Sequence, residues 1–513
     1  MHIVIVGGGT AGWMTALMAA SKHPYHNVTV VESSEIGVIG VGESTTGLIT
    51  DLMSNHFWDF GCDHTEFIVE TGASIKYAIQ HRGWTNDIED YYIGPIDGSY
   101  TKDLLPDVYF SYGLEKFPNK SLINTSKIGH LIYNEKSNFS KTTKEFVNYS
   151  HAMHVDAHLV GKYFKKICLR NKNAAHIDAK VVDAELDNDT GYIKSIKLED
   201  GRSISGDFFI DCSGFRRILM SKLTNEWVSY EKYLPTNSAI PFLQEYGKEE
   251  YPTPWTRAWA QSSGWMWTIP LLERSGNGYV FCDSFITPEK ALEEIETRLG
   301  KKINPAPLIK FKTGRQESAW IKNCITIGLA SAFLEPLEAT SIHSTIVQIR
   351  NFVFEYLRPT IEDTINEGSR KIYNQRTRKM FDDLRDFLVI HYMGGRSDSE
   401  FWRYIGTGET QTKFVSQLLE MSKHRMPSSN DFPKYYGSAG WPLYSYVLSG
   451  INRIGKDVPS RELDLLSSGP RDFRTLTAES YYESQDSWSR EENQCMSWKE
   501  FVDYFRKLRK NAS

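Results

Sequence analysis

The first 32 residues hold the tightest constraint in this chain. An apolar run from His2 to Val6 leads at once into Gly7-Gly8-Gly9-Thr10-Ala11-Gly12, after which Trp13, Leu17 and Ala20 recur at helical spacing. Val28-Thr29-Val30-Val31, largely β-branched, then closes on Glu32. Strand, G-x-G-x-x-G, helix, strand and acid follow in the order and length of a dinucleotide-binding βαβ unit. In such a unit Gly7 allows the tight turn, Gly9 lets a pyrophosphate approach the backbone, and Gly12 lets the helix pack closely on the strand. The helix start at Thr10 and Ala11 turns its free N–H groups to the phosphates. Glu32 is placed to accept hydrogen bonds from a ribose.

The motif serves NAD and FAD alike, and later segments favour FAD. Ile39-Gly40-Val41-Gly42-Glu43-Ser44-Thr45 is a second glycine-rich stretch suited to an extended cofactor, which brings in Gly42 and Glu43. Asp207 to Gly214 and Ile325 to Leu329 each read as a buried strand ending in a turn. Val182, Leu329 and Ile342 complete the expected cofactor-binding set. Val181 to Lys197 reads as a β-hairpin turning near Asn188 to Gly191. From about Asn351 the pattern is largely helical, and the charged tail after Arg471 is expected to form surface helices.

Composition narrows the function by exclusion. A formal charge of −5 lacks the basic excess of a nucleic-acid binder. No apolar run approaches the roughly 18 residues of a membrane span. The N-terminus lacks the basic region and cleavage site of a signal peptide. Six cysteines are scattered without metal or redox spacing, which fits free thiols in a reducing cytoplasm. No metal is expected. His151, His154 and His158 have spacings that could share a helical face.

Other segments are more specific. Ser263-Gly264-Trp265-Met266-Trp267-Thr268-Ile269-Pro270 contains W-x-W-x-I-P, the box of flavin-dependent halogenases of the tryptophan halogenase type. Phe333 to Ile342, His151 to Val160, Phe381 to Phe387 and the opening Gly-Gly-Gly-Thr-Ala-Gly-Trp-Met resemble the same family, in order, as far as about Trp402. The resemblance implies an α/β fold: a Rossmann-like FAD-binding core of the flavin monooxygenase type over residues 1–395, with interleaved substrate segments, and a mainly helical substrate region over 396–513. In that family reduced FAD (FADH2), O2 and halide yield hypohalous acid, which passes through a tunnel to a lysine beside an aromatic substrate. The reduced flavin comes from a separate NAD(P)H-dependent flavin reductase, in keeping with the lack of a second nucleotide motif here. Assembly into a homo-oligomer is left open.

Lys76 matches the family's catalytic lysine. Ile75, Tyr77 and Ile79 alternate onto one strand face and leave Ser74, Lys76 and Ala78 on the other, so a long ammonium between small residues could enter a cavity. The usual fate of a lysine is the surface. Glu338 matches the second catalytic residue, which orients the halogenating species or takes the ring proton; Glu335 is a nearby competitor, but the Pro-Leu-Glu register favours Glu338. The first amides of a helix after Pro336, at Thr340 and Ser341, are expected to bind halide. Here the chain departs from the tryptophan halogenases: Ser341 replaces Gly, Ala339 replaces Ser and His343 replaces an aromatic residue, which leaves the preferred halide open. Trp265 and Trp267 are expected to wall the flavin off from the substrate pocket.

Tryptophan halogenases hold the amino-acid end of free tryptophan with tyrosine, glutamate and phenylalanine side chains. The comparable stretch here, Asp431 to Trp441, does not reproduce that pattern. The expected substrate is therefore an electron-rich aromatic ring: a phenol, indole or pyrrole. An FAD-dependent aromatic monooxygenase and a non-enzymatic flavin-binding protein are the alternatives, and neither needs Lys76.

Overall fold

The structure is a computed structural model, described over residues 1–37, 42–54, 59–96, 106–117, 122–148, 151–432 and 437–512. Its organising layer is a six-stranded sheet. β1 (His2–Val6) lies between β2 (Asn27–Glu32) and the strand Phe208–Asp211, parallel to both. Cys324–Thr326 and Ala174–Asp178 extend the parallel set on either side, and Trp320–Ile321 adds an antiparallel edge. Ile3, Val4 and Ile5 are fully buried, because a parallel sheet covered on both faces needs continuous apolar strands rather than alternation. Helix α1 (Thr10–Lys22) crosses back between β1 and β2 as the glycine pattern requires.

The expected strands around Asp207 and Ile325 are therefore neighbours in this sheet. The expected hairpin also forms, with Val181–Leu186 antiparallel to Ile193–Leu198.

A second, seven-stranded sheet carries the strand Gly264–Pro270 with its W-x-W-x-I-P box. A third, small sheet joins the two regions. In it β3 (Glu43–Ser44) and β4 (Ser74–Lys76) flank the strand Ala152–Val155, both antiparallel to it. At Tyr77 the chain changes sheets: β4 ends, and β5 (Ala78–Arg82) enters the seven-stranded sheet beside Trp255–Gln261. The single alternating strand expected across 74–79 is thus two short strands, and both of their faces are covered.

Among the described residues the region after Asn351 is largely helical, as expected, with one short strand at Cys495–Ser497. Helix Glu367–His391 starts on Asn366, whose side chain accepts the Ser369 N–H at 2.8 Å, and it ends at His391. The tail is not merely a surface layer. Cys495–Ser497 pairs with Lys136–Ser140, and helix Trp498–Ala512 buries Trp498, Phe501, Val502 and Phe505 in the same core as Ile75 and Tyr77. Residues after 396 therefore pack directly on the first part of the chain.

Candidate active site

A cavity of about 300 Å³ opens at the C-terminal ends of β1, β2 and the strand Phe208–Asp211. Gly7, Gly9, Thr10, Ala11, Glu32, Glu43, Leu329 and Ile342 all line it, as expected of cofactor contacts, and so does Ser341. Gly7 has φ +110°, and a Cβ there would meet Cys212 O at 2.3 Å. Gly12 lies behind the turn, where a Cβ would fall 1.8 Å from Gly7 O. Both glycines are thus required by packing.

The residues present fit a flavin dinucleotide. The N-terminus of α1 has no side-chain cap and no acid in its first turn, so its N–H groups remain for a pyrophosphate. Glu32 is oriented by Lys165 Nζ at 2.8 Å and His176 Nε2 at 3.1 Å. Glu43 is half-buried on the cavity wall, its carboxyl makes no hydrogen bond among the described residues, and desolvation pushes it up to about 7.

Two expectations shift. Val182 turns outward at 50% exposure, and its buried neighbour Val181 lines the cavity instead, because strand alternation allows only one of the pair to face in. Gly42 is not in the lining either: it packs against Ile269 and Gly276, with Glu43 reaching the cavity. Residues 39–41 of that stretch lie outside the described residues, as do 433–436 of the Asp431 to Trp441 stretch.

Lys76 is fully buried rather than at the surface, and its Nζ donates to Thr45 O at 3.0 Å. Burial, only partly offset by the Glu338 charge, pushes its ammonium down to about 7. The small sheet explains its placement: Glu43 on β3 lines the cofactor cavity, and Lys76 ends β4 across the shared strand.

Glu338 arrives from the other side. Pro336–Glu338 forms one 3₁₀ turn, Ala339 takes a left-handed conformation at φ 56°, and helix Thr340–Arg350 follows, with Ser341 and Ile342 on the cavity. No side chain caps this helix, which leaves its first amides for an anion. Of the two halide candidates only Ser341 lines the cavity. Thr340 is buried, and its hydroxyl donates to Glu335 O at 3.4 Å.

Glu335 and Glu338 take separate tasks. Glu335 Oε2 accepts from Trp265 Nε1 at 2.8 Å and from the Tyr392 hydroxyl, which ties the W-x-W box to the helical region. Trp265 and Trp267 are buried with ring centroids 6.3 Å apart. Glu338 faces His81 and His391, whose Nε2 atoms lie 3.0 and 2.9 Å from its Oε1. Burial raises the Glu338 carboxyl, but the hydrogen bond with His391 and the close approach of both imidazoles outweigh it and hold the group well below the usual carboxylate range. His81 stacks on Tyr92 at 4.6 Å, and Trp84 packs edge-on to Tyr392 at 5.1 Å.

Neither His81 nor His391 was singled out from the sequence. His81 has the weak signal of following Lys76 closely on the next strand; His391 has none. His151, His154 and His158 do not share a helical face. His154 lies on a strand between Ser74 and Thr256, His151 bonds Asn138, and His158 is exposed on the helix Ala157–Cys168.

A larger cavity of about 750 Å³ lies among the C-terminal helices by Trp402 and Arg453, and none of the candidate residues lines it. Among the described residues no helix is long and apolar enough to cross a membrane.

Comparison with known proteins agrees with this geometry. The tryptophan halogenase family model matches residues 2–456. The tryptophan 6-halogenase SttH of Streptomyces toxytricini is 32% identical over 488 residues, 88% of this chain and 90% of that one. Its crystal structure superposes with a TM-score of 0.85, covering 98% of this chain and 99% of that one. The tryptophan 7-halogenase RebH of Lentzea aerocolonigenes is 30% identical over 90% of this chain and 91% of its own. BrvH, a flavin-dependent halogenase from Brevundimonas sp. BAL3, superposes with a TM-score of 0.82 at 26% identity, covering 98% and 99% of the two chains. This chain belongs to the tryptophan halogenase family and is a flavin-dependent halogenase, an enzyme of the oxidoreductase type.

Proposed function

We propose that the enzyme halogenates an electron-rich aromatic ring, an indole before a phenol or pyrrole, with hypohalous acid delivered to Lys76. The observation that carries this reading is the burial of Lys76 at the far side of the small sheet from Glu43. Reduced FAD, supplied by a separate reductase, would furnish hypohalous acid from O2 and halide when bound in the cavity. Gly7, Gly9, Thr10 and Ala11 would hold its pyrophosphate, Glu32 its ribose, and Ser341 with the adjoining amides the halide.

Lys76 then presents the oxidant to the ring. An ammonium near neutrality serves well here, since it can donate a hydrogen bond to hypohalous acid or form a haloamine with it. Glu338, kept ionised, takes the ring proton. Trp265 and Trp267 close the route between cofactor and substrate. An indole is placed first because SttH and RebH, at 32% and 30% identity, are tryptophan halogenases.

The test supplies FAD, NADH, a separate flavin reductase and each halide in turn, with a panel of indoles, phenols and pyrroles. Halogenated product that disappears in Lys76→Ala is the expected result. Hydroxylated product formed without halide would make the protein a monooxygenase instead.

A further inference from the structure

The contact between Glu338 and the two imidazoles contains more than the family reading requires. The His81 Nε2, His391 Nε2 and Glu338 Oε1 atoms all lie within 4.8 Å of one another. His81 and His391 side chains are 1% and 0% exposed, so bulk water does not separate them from the carboxylate.

The backbone assigns a proton on His391. Its Nδ1 lies 2.8 Å from the carbonyl oxygen of Phe387, one turn earlier on the same helix. A carbonyl oxygen only accepts, so Nδ1 carries the N–H. In a neutral ring Nε2 would then present a lone pair, and at 2.9 Å it would face the lone pairs of Glu338 Oε1. Two acceptors do not sit at hydrogen-bond distance without a proton between them. His81 closes the other side: its Nε2 is at 3.0 Å from Oε1, off the hydrogen-bond direction, and its Nδ1 has no partner among the described residues.

The second carboxylate oxygen, Oε2, makes no hydrogen bond among the described residues, and the Glu338 side chain keeps 13% exposure. One oxygen is held and the other is left for a ligand. Two other carboxyls have no hydrogen bond to an imidazole among the described residues, and both are raised: desolvation pushes Glu43 up to about 7, and it also raises Glu335, whose donors are Trp265 and Tyr392.

We propose that His391 is a positioning residue for the halogenation step: carrying a proton on each ring nitrogen, it holds Glu338 by Oε1, keeps it a carboxylate and leaves Oε2 to take the ring proton. This rests on the reading of Glu338 as the acceptor of that proton. The step balances with hypohalous acid as the oxidant. A carbon–halogen bond forms from ring electrons as the oxygen–halogen bond breaks, and the Lys76 ammonium protonates the departing hydroxide to water. The ring C–H bond then breaks, its electron pair returns to the ring, and the proton passes to Glu338 Oε2 and on to the Lys76 amine. The titratable groups facing the pair are Lys76, His81 and Tyr92 from the neighbouring strands, and Glu335 and Tyr392 from the segments flanking Glu338 and His391.

The experiment compares wild type with His391→Gln, which keeps a neutral donor, and His391→Phe, which keeps only the ring, in the flavin- and reductase-coupled assay. Rates are followed against pH, with ring substrate protonated or deuterated at the halogenated carbon. For His391→Phe the expected result is a fall of about 10²-fold in kcat with KM within about two-fold. Its acid limb should move up towards the value of about 7 that burial imposes on Glu43, and a primary deuterium isotope effect absent from wild type should appear. His391→Gln should show the same changes more weakly.

A rate loss with neither change, in variants that still bind FAD and melt like wild type, would mean a merely structural role and overturn the proposal. So would one equivalent of Zn²⁺ bound by wild type and lost in His391→Gln, since a metal would then occupy the proton's place. Glu338→Gln is the control for the underlying reading. If it halogenates at the wild-type rate, that reading fails and this proposal with it. If it is slow while His391→Phe is unaffected, only this proposal fails.

Discussion

The Lys76 ammonium donates to the Thr45 carbonyl at 3.0 Å, which ties a fully buried lysine to the segment that leaves the cofactor cavity. Thr45 is itself strapped to the central strand of the small sheet: its N–H and hydroxyl both reach Met153 O, at 3.0 and 2.8 Å. The lysine is therefore aimed by backbone rather than by a flexible surface, as preorganised chemistry requires.

Replacing Lys76 should separate activity from folding. In Lys76→Met halogenation should fall by at least about 10²-fold while flavin affinity stays within about two-fold. Product analysis and a flavin fluorescence titration on the same preparation check both halves.

The same variant exposes a pH signature. Burial takes Lys76 from 10.5 down to about 7, so between these values the unfolded chain holds a proton that the folded protein has released. Stability then rises with pH in that window, by about 1.4 kcal/mol per pH unit for this one group. Urea unfolding at pH 7, 8 and 9 should show wild type gaining on Lys76→Met by that slope. A flat or falling difference would mean that Lys76 stays charged.

Gly9→Ala should damage the cofactor site without damaging the fold. Gly9 has φ −73°, and no heavy atom of the described residues beyond its chain neighbours lies within 4 Å of a Cβ built there, so they accommodate the methyl group. The methyl group would occupy the space a pyrophosphate needs, and the flavin Kd should rise about 10-fold, with unchanged or slightly raised stability. Gly7→Ala, with its positive φ and the Cys212 carbonyl in the way, should instead impair folding.

Glu335→Gln should report on architecture rather than chemistry. The amide oxygen can still accept from Trp265 and Tyr392, so the expected cost is about 1 kcal/mol, seen as a lower Tm and altered tryptophan fluorescence. Halogenated product should still form, in contrast to Glu338→Gln.

Local patterns were legible where the constraint itself is local. The βαβ unit declares itself because turn, helix packing and phosphate approach each demand a glycine at a fixed offset within one continuous stretch. The hairpin at Val181 to Lys197 and the turn and helix after Pro336 were equally readable. Lys76 and Glu338 could be nominated from the family pattern, but their surroundings could not. Burial of Lys76 depends on a change of sheet at Tyr77, with the Tyr77 N–H held by Pro254 O at 2.7 Å, and no local rule signals that change.

The Pro-Leu-Glu register favours Glu338 over Glu335, but the register does not show that one meets a tryptophan and a tyrosine while the other meets two imidazoles, one of them at the end of a distant helix. The sequence by itself determined the nucleotide fold and the family and nominated Lys76 and Glu338, because backbone conformation and residue type suffice for those. Only the tertiary structure decided that the lysine is desolvated and that two imidazoles face the carboxylate. Charge state inside a protein is set by the groups that packing brings close, whatever their separation along the chain.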